Sequence, residues 1–183
     1  MTVPIPSSYW LNEGWLLAGE YPGSADDDDA RTKLDRMLAA GIRSFIDLTE
    51  TSDPLNPYED LLAEVAASRG VDVRYQRLPI RDMSIPGTDR MAEILSLIRK
   101  EIAARRPVYV HCWGGIGRTG TVAGCWLVEE GRTCDDALAR IRELRAATPD
   151  GRIESPQTDA QRNFVRRWQP EPQGLGDRSS SED

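Results

Sequence analysis

Short apolar runs alternate with longer amphipathic segments along most of the chain. The apolar runs predict β-strands, at residues 8–19, 42–48, 71–78 and 108–110. The first run contains a polar turn at residues 12–14 and is predicted to form a hairpin. The amphipathic segments predict helices, at residues 26–40, 58–69, 89–104, 121–130, 133–147 and 158–168. Because strands that alternate with helices favour βαβ crossovers, the pattern predicts an α/β fold with a mostly parallel central sheet flanked by helices on both faces.

Residues at the predicted helix ends support these boundaries. Four consecutive acids at residues 26–29 suit the positive end of a helix dipole, which is a simpler explanation than a metal site. Gly41, Gly70 and Gly131 follow predicted helices and are expected to end them. Side chains that can cap a helix N-terminus are those of Thr88, Thr133 with Asp136, and Thr158 with Gln161.

The length of 183 residues suits one domain with a sizeable core. We expect this domain to span residues 1–169. The stretch at residues 170–183 is acidic and rich in Pro, Gly and Ser, so we expect it to form a disordered tail.

The chain carries a net charge of −7 and has no basic block, which argues against nucleic acid and anionic membranes as partners. Its first residues, MTVPIPSSYW, lack the basic and apolar regions of a signal peptide. No apolar run approaches the roughly 18 residues that cross a membrane. The sequence therefore predicts a cytoplasmic protein with no membrane partner.

The three cysteines, Cys112, Cys125 and Cys134, are spaced unlike any zinc framework, and the chain has one histidine. A metal site is therefore not expected. Cys125 and Cys134 are interpreted as packing residues, with a redox partnership to Cys112 as the alternative.

The segment HCWGGIGRTG at residues 111–120 lies between a predicted strand and a predicted helix. In that setting the loop amides and the helix N-terminus point at one spot and favour an anion there. Three glycines permit the unusual dihedrals of such a loop, and Arg118 adds a planar fork for two phosphate oxygens. Cys112 lies at the floor of this electropositive cup, which favours a thiolate aimed at the phosphorus of a bound ester. The predicted phosphate-binding positions are Trp113, Gly114, Gly115, Ile116, Gly117 and Arg118.

The pattern His-Cys-x5-Arg-Thr-Gly resembles the phosphate loop of the cysteine-based protein tyrosine and dual-specificity phosphatases. The resemblance implies a phosphotyrosine phosphatase-like fold and hydrolysis of phosphate monoesters through a phosphocysteine, without a metal or other cofactor. It makes Cys112 the nucleophile and Arg118 the main phosphate ligand. The segment does not resemble a nucleotide P-loop, because it lacks the Gly-Lys-Ser/Thr ending.

A second catalytic group is needed to protonate the leaving oxygen. Asp82 is the candidate, because it lies in a Pro-bounded loop at residues 79–86 that follows a predicted strand. This loop resembles the acid loop of the phosphatase family. In the second step Asp82 would take a proton from the attacking water. The alternative is an ordinary solvated loop acid.

Further residues are candidates for supporting roles. Gln157 and Gln161 resemble the glutamine loop of the tyrosine-specific phosphatases, which implies that Gln157 positions the water. The alternative is that Gln161 caps a helix and Gln157 is exposed. The hydroxyl of Thr119 is expected to stabilise the catalytic thiolate. His111 is interpreted as an orienting residue, with a base as the alternative, and Trp113 either walls the pocket or packs beneath it.

Three functions remain open at this stage. A phosphatase of phosphorylated proteins, with phosphotyrosine foremost and phosphoserine or phosphothreonine also possible, suits the short chain. The five positions between Cys112 and Arg118 contain no lysine, whereas phosphoinositide-directed relatives tend to carry one there. A phosphatase of small or lipid phosphates, such as inositol phosphates, is the first alternative, and a non-catalytic phosphate-binding module is the second. The expected partner is a phosphorylated protein or a small phosphate ester.

Overall fold

The structure, a computed structural model, describes residues 2–170. The strands in this part of the chain are β1 (Ser8–Asn12), β2 (Leu16–Gly19), β3 (Ser44–Asp47), β4 (Arg74–Arg77) and β5 (Val108–His111). The helices are α1 (Asp27–Ala39), α2 (Glu59–Ser68), α3 (Thr88–Ala103), α4 (Arg118–Glu129), α5 (Cys134–Arg145) and α6 (Asp159–Arg167).

The strands form one twisted sheet in the order β1-β2-β5-β3-β4. The first pair is an antiparallel hairpin, and the other three pairs are parallel. β5 lies in the middle of the sheet, where Val110 is in register with Ala18 of β2 and Ile46 of β3. The predicted α/β class with a mostly parallel sheet is therefore confirmed, and so is the hairpin.

Two hydrophobic cores lie on the two faces of the sheet. Successive residues of a strand point to opposite faces, so Tyr109 packs with α1 and α2, whereas Val108 and Val110 pack with the other four helices. All three residues are fully buried. This double cover explains why β5 is apolar without alternation, and it fixes the end of β5 firmly in the middle of the fold.

Most predicted helix ends agree with the structure. Asp26 caps α1 by accepting a hydrogen bond from the backbone N–H of Asp28, and three acids occupy the first turn. Thr133 caps α5 through the backbone N–H of Asp136. Thr158 heads α6 in a complete capping box whose other member is the side chain of Gln161.

Three predicted boundaries are wrong. The N-cap of α3 is Gly87 rather than Thr88, which is the first residue of the helix, and no side chain caps this end. α4 begins at Arg118, three residues before the predicted start, because Gly117 serves as its N-cap. The predicted strand at residues 71–78 shortens to Arg74–Arg77, since only these residues pair with β3 at the edge of the sheet.

The proposed tail at residues 170–183 lies, apart from Pro170, outside the described residues. Within residues 2–170, no helix has the length and apolar character that a membrane crossing requires.

Candidate active site

The predicted phosphate loop lies at the carboxyl edge of the parallel strands. Cys112 follows β5 directly, and the backbone N–H of Leu48, just after β3, donates to the carbonyl of His111 at 2.9 Å. The loops that follow β3 and β4 therefore leave the sheet at the same edge as the phosphate loop. In open α/β sheets this edge is where ligands bind.

The conformation of the phosphate loop depends on close backbone contacts. Gly115 has a φ of 68°, and a Cβ added there would lie 2.4 Å from the backbone carbon of Gly19. A Cβ on Gly117 would lie 3.0 Å from the side-chain amide of Gln161. The hydroxyl of Ser155 donates to the carbonyl of Ile116 at 2.7 Å. The loop is thus supported by the end of β2 on one side and by the segment leading into α6 on the other.

The thiol of Cys112 lies at the base of this loop, where the residue is 2% exposed. Cys112, Cys125 and Cys134 are all free thiols. Cys125 packs in the core, and its burial raises its pKa well above the ordinary value, so it is held as a neutral thiol. The thiol of Cys134 donates to the carbonyl of Arg166, at 3.4 Å, between α5 and α6.

His111 points away from the cup into an aromatic core. Its Nε2 lies 2.6 Å from the hydroxyl of Tyr58, and its Nδ1 lies 3.4 Å from the carbonyl oxygen of Cys112. The buried carboxylate of Asp47 is 3.9 Å from Nδ1. Burial lowers the pKa of His111 below its ordinary value, although the charge of Asp47 acts in the opposite direction. The contacts fit a neutral ring with its proton on Nδ1, and the orienting role of His111 stays a prediction.

We expect His111 to titrate below pH 6.5, the ordinary value of a histidine. Because the unfolded chain then binds this proton more tightly than the folded protein, the free energy of unfolding falls as the pH drops below about 6.5. The chain has one histidine, so a single imidazole resonance in an NMR titration measures the midpoint. The same protein in denaturant supplies the reference. A folded-state midpoint at or above that of the denatured protein would contradict this prediction.

Arg118, the first residue of α4, is 1% exposed, and the nitrogens of its guanidinium differ in their contacts. Its Nη1 donates to Oδ2 of Asp53 at 2.6 Å and to the carbonyl of Ile80 at 3.2 Å. Its Nη2 is 3.2 Å from Oδ1 of Asp82, in an ion pair without hydrogen-bond geometry. Burial disfavours the charged guanidinium, but the Asp53 hydrogen bond and the negative charges of Cys112, Asp53 and Asp82 together raise the pKa of Arg118.

Two nitrogens of Arg118 are left for a ligand. Nε and Nη2 are buried and without a hydrogen-bond partner, and the only other such side-chain atom within residues 2–170 is the hydroxyl of Tyr9. Because a buried polar group without a hydrogen-bond partner is costly, such donors indicate where the acceptor oxygens of a ligand can bind. Nε and Nη2 form the side of a guanidinium that binds two oxygens of a phosphate.

Asp82 lies in a turn over this guanidinium. Its side chain is 52% exposed, and the next residue, Met83, has a φ of 56°. The turn is held by a hydrogen bond from the backbone N–H of Ser84 to the carbonyl of Arg81, at 3.1 Å. The structure therefore places the predicted acid beside the predicted phosphate ligand, in a tightly turned loop.

The two predicted glutamines have different surroundings. Gln161 is fully buried, with its amide oxygen accepting from the backbone N–H of Thr158 and its Nε2 donating to the carbonyl of Ser84 at 3.1 Å. It thereby ties the acid loop to α6 and touches Gly117 of the phosphate loop. Gln157 is exposed. This is the capping arrangement that the sequence left as an alternative, and the water-positioning role of Gln157 stays a prediction.

Two further predicted residues lie in the phosphate loop and at the start of α4. Thr119 is buried, and its hydroxyl is 3.4 Å from the carbonyl oxygen of Gly19. The side chain of Trp113 is 45% exposed and therefore does not pack beneath the pocket. Met83 and Ile85, on the acid loop, are also large apolar side chains with high exposure. Both the phosphate loop and the acid loop therefore expose large apolar side chains.

Asp53 is the residue that sequence reasoning missed. It lies in the loop between β3 and α2, its side chain is 9% exposed, and it makes the shortest contact to Arg118. The pair is separated by 65 positions, and a lone Asp before Pro54 has no local pattern that would mark it. Within residues 2–170, no three His, Cys, Asp or Glu side chains are grouped in a way that could hold a metal ion.

Comparison with known proteins agrees with this geometry. A family described as "Polymorphic toxin system, DSP-PTPase phosphatase" matches residues 21–132, more than half of the chain. Phosphatidylglycerophosphate phosphatase PTPMT2 of Arabidopsis thaliana is 28% identical over 133 residues, which cover 72% of this chain and 52% of that protein. The chain thus spans about half the length of this curated relative, and about a third of two uncharacterised proteins from Methanocaldococcus jannaschii.

Solved structures show the same fold. Tk-PTP in its active form superimposes with a TM-score of 0.64 and 25% identity, over 88% of this chain and 95% of that chain. The core catalytic domain of the PP-IP phosphatase SIW14 from S. cerevisiae superimposes with a TM-score of 0.66 and 15% identity, over 92% and 89% of the two chains. At 15% identity, the similarity to SIW14 shows a shared fold and no more.

Proposed function

The chain belongs to the family of DSP-PTPase phosphatases, and on that premise we propose that it hydrolyses phosphate monoesters on proteins, phosphotyrosine foremost, through a phosphocysteine formed on Cys112. It is a cysteine-based phosphatase of the dual-specificity type. The observation that carries the proposal is the pair of buried Arg118 nitrogens that have no hydrogen-bond partner, six residues after a buried thiol and beside Asp82.

In the first proposed step the substrate phosphate binds Nε and Nη2 of Arg118 and displaces the carboxyl group of Asp82 from Nη2. The thiolate of Cys112 attacks phosphorus, so that an S–P bond forms while the P–O bond to the leaving group breaks. Asp82, in its protonated form, gives its proton to the leaving oxygen. Arg118 and the loop amides stabilise the charge that develops on the phosphoryl oxygens.

In the second step water hydrolyses the phosphocysteine. Asp82, now a carboxylate, takes a proton from the water molecule while the water oxygen bonds to phosphorus. The S–P bond breaks, inorganic phosphate forms and the thiolate is restored. We assign to Thr119 the stabilisation of this thiolate, and to Gln157, at the entrance to α6, the positioning of the water. His111 orients the loop, and Gln161 supports both the acid loop and the phosphate loop.

One observation favours an aryl phosphate as the substrate, and a second disfavours substrates that carry several phosphates. The exposed side chains of Trp113, Met83 and Ile85 offer apolar surface on loops that frame the cup, which suits the ring of phosphotyrosine. Asp53 and Asp82 already surround Arg118 with negative charge. A substrate with further phosphates near the reacting one would be repelled by these carboxylates.

A phospholipid or inositol phosphate is the second candidate substrate. Its support is the 28% identity to a protein named as a phosphatidylglycerophosphate phosphatase. The exposed apolar side chains of the two loops would also suit a lipid. The two candidates share the chemistry at phosphorus and differ only in what surrounds the phosphate.

The substrate class is tested by phosphate release from a phosphotyrosine peptide, a phosphothreonine peptide, phosphatidylglycerophosphate and a phosphoinositide, compared in one assay. The buffer contains a chelator and a reductant, because the proposed reaction needs a free thiol and no metal ion. We expect kcat/KM for the phosphotyrosine peptide to exceed the other values by at least about tenfold, which is 1.4 kcal/mol in transition-state binding.

The other outcomes are equally informative. Faster turnover of either lipid would replace phosphoprotein by phospholipid as the substrate class. Phosphotyrosine binding without any turnover would favour a non-catalytic module. Activity that is seen only when the chelator is left out of the buffer would contradict the metal-independent mechanism.

A further inference from the structure

We propose that the active site selects phosphotyrosine peptides that carry arginine or lysine beside the phosphorylated residue, through the carboxylates of Glu20 and Glu50. This inference rests on the proposed function, because it names the sequence context that the same site accepts. The two glutamates lie outside the phosphate loop and the acid loop, on the connections that follow β2 and β3.

Four connections leave the carboxyl edge of the parallel strands, and their charge is strongly one-sided. They link β2 to α1, β3 to α2, β4 to α3 and β5 to α4. Together they contain one basic residue, Arg81, and five acidic residues, which are Glu20, Asp26, Glu50, Asp53 and Asp82. Because ligands of open α/β sheets bind at this edge, a substrate approaches the phosphate loop through a region of negative potential.

Glu20 lies against the phosphate loop. A Cβ added to Gly115 would lie 2.7 Å from the backbone nitrogen of Glu20, and the next N–H, that of Tyr21, donates to the carbonyl of Trp113 at 2.8 Å. The carbonyl of Glu20 accepts a hydrogen bond from the hydroxyl of Tyr109. Backbone contacts therefore fix the residue, while its partly exposed carboxylate forms no ion pair within residues 2–170.

Glu50 is fixed in a similar way beside the partner of Arg118. Its backbone N–H donates to Oδ2 of Asp53 at 3.2 Å, and the same oxygen accepts from Nη1 of Arg118 at 2.6 Å. The carbonyl of Glu50 accepts the backbone N–H of Asp53 at 3.1 Å. The side chain of Glu50 takes part in none of these contacts. It is partly exposed and forms no ion pair in the described part of the chain.

The chain supplies little positive charge at the phosphate. Arg118 is 1% exposed, and its Nε and Nη2 are the donors left for a phosphate. The N-terminus of α4 adds a partial charge. Even with Asp82 protonated for catalysis, this one guanidinium faces the carboxylate of Asp53, the thiolate of Cys112 and a doubly charged ester. A substrate that brings its own positive charges relieves this imbalance, whereas a substrate with acidic neighbours increases it.

Trp113 offers a second kind of contact to a cation. Its side chain is 45% exposed, and its backbone is hydrogen-bonded to Tyr21, the residue after Glu20. A guanidinium or ammonium group is attracted to the face of an indole. An exposed indole and an unpaired carboxylate on adjoining segments therefore suit arginine and lysine side chains of a substrate.

The experiment measures kcat/KM for three phosphotyrosine peptides that differ only at the two positions before and the two positions after the phosphotyrosine. These four positions are all arginine, all alanine or all glutamate. At low ionic strength we expect the arginine peptide to exceed the glutamate peptide by at least about tenfold, with the alanine peptide between them. The ratio should shrink severalfold between about 0.01 M and about 1 M salt, because the Debye length falls from about 30 Å to about 3 Å.

Glu20→Gln and Glu50→Gln, alone and combined, test whether these carboxylates cause the preference. Each substitution removes one charge and keeps the backbone contacts described above. We expect each to lower the ratio of the arginine peptide to the glutamate peptide about two- to threefold, and the double variant to lower it by about the product. Because both peptides are measured on one sample, the ratio does not depend on the fraction of folded protein.

Glu130→Gln is the matched control. Glu130 is an exposed acid that also forms no ion pair within residues 2–170, and it lies at the opposite end of α4, about 18 Å along the helix from Arg118. The substitution changes the net charge by the same amount as the test variants. The ratio of the two peptides should therefore stay as it is in the unmodified protein.

The outcomes distinguish this inference from the proposed function. Clear turnover of all three peptides at similar rates would overturn the selection of basic substrates and leave the proposed function standing. A preference for arginine that the double variant retains in full would overturn the assignment to Glu20 and Glu50. An absence of turnover with every peptide would overturn the proposed function itself, and the inference with it.

Discussion

Replacing Cys112 by serine is expected to abolish phosphate release while leaving phosphate bound in the cup. A serine hydroxyl is a weak nucleophile unless a base activates it, and the neighbouring His111 is turned away toward Tyr58. We expect kcat to fall by at least about 10⁴, a range typical of the loss of a nucleophile. Arg118 and the loop backbone are unchanged, so the dissociation constant of inorganic phosphate should stay within a few-fold.

The measurement uses a phosphotyrosine peptide, with calorimetry of phosphate binding on the same samples. Cys134→Ser is the control, because Cys134 is a free thiol between α5 and α6 and should leave the activity intact. Substantial turnover by the Cys112 variant would show that another group attacks phosphorus, and the phosphocysteine would have to be abandoned.

Replacing Asp82 by asparagine is expected to lower kcat by about 10² or more for substrates whose leaving oxygen needs a proton. Asparagine keeps the shape of the side chain and removes the transferable proton. A leaving group that is stable as an anion, such as p-nitrophenolate, needs less protonation, so its kcat should fall less. The comparison is made across a series of aryl phosphates with leaving groups of graded acidity.

Asp89→Asn serves as the control for this series, because Asp89 is an exposed acid in the first turn of α3. The decisive measurement is how the loss in kcat depends on the acidity of the leaving group. If the Asp82 variant lost the same factor with every leaving group, Asp82 would be acting on Arg118 or on the loop rather than as the acid.

Local patterns in the sequence were sufficient to predict that the segment from Cys112 to Arg118 joins a central strand to a helix. Cys112 and Arg118 lie at the two ends of one loop, so their spacing can be seen directly in the sequence. The glycines between them indicate a backbone conformation that is determined within a few residues. The capping box at Thr158 is local in the same sense. β5 could be predicted because a strand covered on both faces must be apolar throughout, as the fold shows.

Contacts across long stretches of chain could not be predicted in this way. The residues around Asp53 contain no pattern that predicts its hydrogen bond with Arg118. That contact depends on the positions of β3 and β5 as neighbours in the sheet. The same holds for Gly19, which touches Gly115 because β2 and β5 are neighbours. The N-cap of α3 was misplaced because Thr88 has a favourable side chain, while the backbone places Gly87 at the cap position.

The contacts of the phosphate loop with Ser155 and Gln161 have a consequence for how the protein is made. The central sheet can assemble once β5 has left the ribosome, because β5 is the last of the five strands within residues 2–170. The cup has its full support only after α6 has emerged as well. A nascent chain therefore carries Cys112 through a period in which the fold is largely present and the anion site is unfinished.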